Sequence, residues 1–135
     1  MNKIILISGD PNSINSEIIY KTWKKLNKSL KRRIYILSNF ELLKKQFSKL
    51  KYSMKINKIN NIYEKSKHNE LNVISLKLKF KKPFSVTKKE ASKFVLNSLN
   101  YAHSLALKDK KISIINCPIS KDLLKKNKSL IEYSK

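Results

Sequence analysis

Two short stretches of this chain carry residue types that can hold an anionic ligand. The first is Gly9-Asp10-Pro11-Asn12-Ser13-Ile14-Asn15-Ser16-Glu17 and the second is Asn116-Cys117-Pro118-Ile119-Ser120-Lys121. Gly9 is the only glycine in the sequence, and it stands between an apolar run, Ile4 to Ile7, and an amphipathic segment beginning near Asn15. Glycine at such a corner permits a positive φ or the close approach of a ligand to the backbone. A strand that turns directly into a helix also directs backbone N–H groups at a bound anion. Gly9, Asp10, Pro11 and Asn12 therefore read either as a dinucleotide or phosphate cradle, or as an ordinary βα turn with a good cap. The three glycines of a dinucleotide fingerprint and the lysine of a phosphate loop are both missing. In the second stretch Pro118 sets the exit from a strand, and Ser120 and Lys121 follow near a helix start, where hydroxyl and ammonium can both bind an anion. The plainer alternative there is a capped helix with a surface lysine, in a chain that has 29 lysines.

Other reactive side chains are few. His68 falls in a polar loop and His103 on a long helical pattern, and neither has a carboxylate or cysteine at metal-ligand spacing. His103 reads as a helix-packing residue. Cys117 lies at a strand end, where a thiol can be activated, but no histidine is close in sequence; it reads as a buried, inert thiol. No nucleophile–base–acid set, paired carboxylates or metal cluster is visible, so the catalytic residues are unassigned and no metal ligand is named.

The elements that must position the two turns follow from periodicity. A short apolar strand is expected at 3–8, a helix at 15–30 and a second strand at 33–38. The first helix would turn Ile14, Ile18, Ile19, Trp23, Leu26 and Leu30 inward, with Asn15 or Ser13 as its cap. A second helix at 40–50 would bury Leu42, Leu43, Phe47 and Leu50. A weak strand at 54–59, a polar loop at 60–72 and a half-exposed alternating strand at 72–80 come next, broken by Lys81-Lys82-Pro83. Thr87 with Glu90 forms a capping box for a long helix to 107, with Ala91, Phe94, Val95, Ser98, Leu99 and Ala102 inward. A last buried strand at 111–116 leads to a helix over 119–126. This order implies an α/β layered fold, a largely parallel sheet with helices on both faces. Such sheets bind ligands at the carboxyl ends of their strands, where both turns would lie.

At 135 residues the chain fits a single α/β unit, 1–135. No run of about 18 apolar residues predicts a membrane span. One cysteine excludes an internal disulfide and fits a reducing, cytoplasmic setting. The net charge of +22 suggests a polyanion partner. Against a nucleic-acid-binding protein, only Arg32 and Arg33 are arginine, and the lysines are spread along the whole chain. Abundant isoleucine and asparagine beside lysine match the composition of an A/T-rich coding sequence.

Together the two turns resemble those of the 4-hydroxythreonine-4-phosphate dehydrogenase family of pyridoxal phosphate (vitamin B6) biosynthesis. Gly9 to Glu17 is similar to that family's opening Gly-Glu-Pro-Ala-Gly-Ile-Gly-Pro-Glu segment. Ile114 to Lys121 is similar to its later strand and Pro-x-x-Lys turn, and Ser85 to Ala106 to the helix before that strand. Asn12, Ser13, Asn15 and Ser16 replace a small, glycine-rich turn, and Cys117 replaces a glycine or alanine. Of the family's Gly-His-Thr-Glu only the glutamate has a match, in Ser129-Leu130-Ile131-Glu132.

The resemblance implies an oxidoreductase using NAD or NADP and a divalent metal (zinc, magnesium or cobalt). Its substrate is a phosphorylated small molecule, and the enzyme is a homodimer of two-domain subunits similar in architecture to isocitrate and isopropylmalate dehydrogenases. It places Gly9, Asp10, Pro11 and Asn12 at the cofactor cleft and Ser120 and Lys121 toward the substrate phosphate. The family's metal-binding histidines fall beyond Lys135, so the expectation is the N-terminal portion of such an enzyme, inactive alone. The alternatives are a non-catalytic α/β module binding a nucleotide or phosphorylated metabolite, and a basic nucleic-acid-binding protein.

Overall fold

The computed structural model describes residues 2–64, 66–67 and 69–117. The elements run β1 (Lys3–Ile7), α1 (Asn15–Lys25), α2 (Lys28–Arg33), β2 (Ile34–Ser38), α3 (Phe40–Lys49), β3 (Ile56–Ile59), β4 (Leu71–Ser75), α4 (Lys88–Lys108) and β5 (Ile112–Asn116). The expected helix over 119–126 lies outside the described residues, as do Pro118, Ser120, Lys121 and His68.

All five strands lie in one sheet in the order β3-β4-β2-β1-β5, and every neighbouring pair is parallel. Parallel sheets bury both faces, and strand alternation divides the core accordingly. Ile5, Ile7, Tyr35, Leu37, Ile74 and Ile112 pack on one face with Ala91, Val95, Leu99 and Ala102 of α4. Ile36, Leu71, Val73 and Cys117 pack on the other with Ile19, Tyr20 and Trp23 of α1 and Leu43 and Phe47 of α3. This is the layered α/β sheet with helices on both faces that the residue pattern implies.

The long helix matches its expected core face and cap: Thr87 accepts the Glu90 N–H at 3.3 Å, and Ala91, Phe94, Val95, Ser98, Leu99 and Ala102 are buried. Several expectations are corrected. The helix expected over 15–30 is two helices, because Leu26 is extended and the Asn27 side chain caps a new helix by accepting the Leu30 N–H at 2.9 Å. That second helix takes in Arg33, so the strand after it starts at Ile34.

The inward face of α1 also differs. Asn15, Ser16, Ile19, Tyr20 and Trp23 are buried, while Ile14 and Ile18 are exposed. Asn15 sets this rotation, since its amide donates to the Ser8 carbonyl at 2.8 Å in a buried bond. Ile14, not Asn15 or Ser13, occupies the cap position and makes no side-chain bond there. Ser13 contributes one residue earlier, its Oγ accepting the Asn15 N–H at 3.1 Å.

The strand expected over 72–80 spans only Leu71–Ser75. Its neighbour β2 ends at Ser38, and Asn39 opens α3 by accepting the Leu42 N–H at 2.9 Å. The Asn39 amide then takes the Leu76 carbonyl at 2.7 Å. Beyond Leu76 no described strand continues the ladder. Leu76, Leu78 and Phe80 still pack on the core, which accounts for their alternation without a strand.

Candidate functional site

Because all the strands are parallel, their carboxyl ends share one rim, the ligand-binding side of open α/β sheets. β1 and β5 are neighbours with Ile7 opposite Asn116, and the Cys117 N–H donates to the Ile7 carbonyl at 3.0 Å. The turn after Ile7 and the chain leaving Cys117 therefore start side by side.

The first turn is held by its own polar groups. Gly9 has φ of 75°, the left-handed region that any Cβ would disfavour. Asp10 Oδ1 accepts the Asn12 N–H at 2.9 Å, and Ser13 Oγ donates to the Asp10 carbonyl at 2.7 Å. Asn12 then reaches across to the loop before α4. Its amide donates to the Val86 carbonyl at 2.8 Å, and its Oδ1 accepts the Val86 N–H at 2.7 Å. This two-bond pairing imitates a strand contact.

A third tie comes from beneath. Gln46 of α3, 3% exposed, donates from Nε2 to the Pro11 carbonyl at 2.7 Å and to the Pro83 carbonyl at 2.6 Å. Two rim loops are thereby fastened to one buried amide.

These bonds decide what the turn can do. The Asn12 carboxamide is committed to Val86, so it stiffens the rim instead of acting as a freely turning ligand contact. At the start of α1 the helix dipole favours negative charge, and Asp10, its carboxylate accepting the Asn12 N–H, lines the same hollow as Asn15 and Ser16 of that first turn. A phosphate placed directly on it would meet like charge, whereas hydroxyl donors such as a ribose would not. The hollow beneath the turn, lined by Ser8, Asp10, Pro11, Ser16, Ser38 and Gln46, is only ≈ 10 Å³, about the space for one water. The buried Ser16 Oγ has no hydrogen-bond partner among the described residues and lines a site of that size.

A larger open hollow, ≈ 360 Å³, lies along the loop before α4 and is lined by Lys79, Phe80, Lys81, Ser85, Thr87 and Glu90. The sequence pattern missed it because Lys79 read as the solvent side of a strand. Only the end of β4 at Ser75 gathers Lys79 and Lys81 beside the start of α4. The Lys81-Lys82-Pro83 break was the available signal.

Cys117 is buried, and burial pushes its thiol up to about 11, so it carries little thiolate near neutrality, in line with an inert role. His103, expected to pack, is instead exposed on α4. Among the described residues no group of three or more histidine, cysteine, aspartate or glutamate side chains can hold a metal ion. No described helix is long and apolar enough to cross a membrane.

The fold is shared with solved enzymes. A 4-hydroxythreonine-4-phosphate dehydrogenase from Klebsiella pneumoniae superposes with a TM-score of 0.77 at 22% identity, covering 92% of this chain and 39% of that one. One from Burkholderia phymatum gives 0.67 at 19% identity, covering 92% and 38%. The chain thus spans about two-fifths of the length of these structures. No curated protein matches it significantly. The family model for the pyridoxal phosphate biosynthetic protein PdxA matches residues 29–133, a span that takes in the second turn but starts after the first. Matching well over half of the sequence, that model shows that this chain belongs to the PdxA family.

Proposed function

We propose that the chain is the N-terminal unit of a two-domain dehydrogenase acting on a phosphorylated hydroxy amino acid in vitamin B6 biosynthesis. The observation that carries this reading is the family match over residues 29–133, joined to a sheet in which β1 and β5 end side by side. Gly9, Asp10, Pro11 and Asn12 form one wall of a cofactor cleft. Asp10 is suited to ribose hydroxyls and the stiffened backbone of the turn to the cofactor's shape. Ser120 and Lys121 supply a hydroxyl and an ammonium to the substrate phosphate. The positive field of a chain with net charge +22 raises the local concentration of both anions.

NAD or NADP, when bound, accepts the hydride from the substrate carbinol. Among the described residues no group fits a divalent metal. Family-like homodimerisation and a cytoplasmic setting complete the reading.

The test is calorimetry and turnover on the same preparation. The expected result is NAD or NADP binding, substrate binding weakened about tenfold or more by Lys121→Ala, and no oxidation of 4-hydroxythreonine 4-phosphate. Turnover by the chain alone would refute the division of labour. Binding of phosphorylated metabolites without any nicotinamide cofactor would favour the second reading, a non-catalytic binding module.

A further inference from the structure

Three buried serines from separate elements meet under the rim. Ser8 follows β1, Ser16 stands in the first turn of α1 and Ser38 ends β2, and they are 8%, 4% and 2% exposed. All three line the ≈ 10 Å³ hollow beneath the first turn, together with Asp10 and Gln46. The backbone of two of them is committed elsewhere. The Ser8 N–H donates to the Leu37 carbonyl at 3.1 Å, the Ser8 carbonyl accepts the Asn15 amide at 2.8 Å, and the Ser38 carbonyl accepts the Leu76 N–H at 2.8 Å. The side chains are what these serines bring to the hollow. The Ser16 Oγ is buried with no hydrogen-bond partner among the described residues. A hydroxyl taken out of water in that way destabilises the fold unless something in the hollow bonds to it.

We propose that this hollow is a binding site for a single water molecule, held by Ser16 and the polar side chains around it. Protein cavities that stay dry are lined by apolar groups, whereas this one has serine, aspartate and glutamine in its wall. Its volume is about the smallest that admits a water. A buried water makes about three hydrogen bonds. Each serine hydroxyl can donate or accept and the Asp10 carboxylate accepts, so both the protons and the lone pairs of a water find partners. Ions fit the site less well. Ser16 and Leu42, in the first turns of α1 and α3, both line it, and the positive ends of the two helix dipoles oppose a cation. Asp10 opposes an anion. The water ties the end of β1, the start of α1 and the end of β2 into one corner, so the first turn rests on a bound molecule as well as on Gln46.

The test compares the full chain with two variants, by relaxation dispersion of water oxygen-17 and by urea unfolding. Ser16→Val removes the hydroxyl and fills the hollow, and the dispersion amplitude should fall by one long-lived internal water. Ser16→Ala takes one partner from the water without filling its place. Losing a hydrogen bond raises the unfolding constant about fivefold, and alanine's better helix propensity offsets part of that, so a net rise of at least about twofold is expected. Were the hydroxyl unpaired, its removal would relieve a penalty and stabilise the chain. Equal dispersion amplitudes in the native chain and Ser16→Val would overturn the proposal, as would a Ser16→Ala variant as stable as the native chain or more so. A urea midpoint higher in sodium chloride than in choline chloride of the same ionic strength would also overturn it, by identifying a cation as the occupant.

Discussion

Replacing Gln46 tests whether one buried amide holds the rim together. In Gln46→Leu the volume is nearly kept and helix propensity is preserved, but the Pro11 and Pro83 carbonyls lose donors at 2.7 and 2.6 Å. A lost hydrogen bond costs about 1 kcal/mol net, and a buried acceptor left unpaired about 1–3 kcal/mol. Pro11 is buried and Pro83 half-buried, so the full penalty applies at Pro11 and a reduced one at Pro83, for a loss of about 3 kcal/mol. With a urea slope of about 1.5 kcal/mol/M, the midpoint falls by about 2 M.

Gln46→Glu sharpens the test. At pH 7 it aims a carboxylate at two carbonyl oxygens, and burial raises the pKa of that group in the folded state above the ordinary glutamate value of about 4.3. The folded variant then binds a proton that the unfolded chain has released, so its stability falls as the pH rises through the folded pKa. On acidification toward pH 4.5 the protonated acid donates again, and the gap to wild type narrows to one lost bond. Urea unfolding followed by far-UV circular dichroism at both pH values reads this directly. The reasoning is refuted if Gln46→Leu moves the midpoint by less than about 0.3 M, or if Gln46→Glu shows the same deficit against wild type at both pH values.

Two further perturbations follow from the same rim. Gly9→Ala at φ of 75° should cost about 1–2 kcal/mol and Gly9→Asn less; equal losses in urea unfolding would mean that the positive φ is not the reason for glycine. The Cys117 thiol rises from 9.0 to about 11, so its thiolate fraction at pH 8 is about one-hundredth that of an unperturbed thiol. Its reaction with a disulfide reagent should therefore keep climbing about tenfold per pH step up to about pH 11, and a plateau by pH 9 would contradict the burial argument.

What could be read from residue order was the layering. Apolar runs at Ile4–Ile7 and Ile112–Ile115 and the Thr87–Glu90 cap announce two strands and the long helix. The alternation of Leu76, Leu78 and Phe80 misled because it records packing on the core, while a strand also needs a neighbour, and β2 had already turned into α3 at Phe40. Ile14 and Ile18 misled for a related reason: the buried Asn15–Ser8 bond, invisible to periodicity, sets the rotation of α1. Gln46 escaped notice because a single glutamine on a helix gives no sign that two proline carbonyls from distant loops converge on it. The first turn's glycine and its strand-to-helix setting were legible. That Asn12 serves as a clasp to Val86 was not, since its partner is 74 positions away.

The pairing of β1 with β5 has a consequence for how the molecule comes into being. Ile5 lies opposite Ile114, so during synthesis one side of β1 waits for nearly the last of the described residues. Until then β1 can pair only with β2, and its outer backbone stands unmatched, open to any extended segment that meets it first. A long wait on one seam sets the tempo of assembly, because an ordering penalty across that much chain precedes the contacts that repay it. Moving β5 ahead of β1 by circular permutation, through a linker able to span the sheet, would make the seam local and should quicken folding while leaving the finished sheet unchanged.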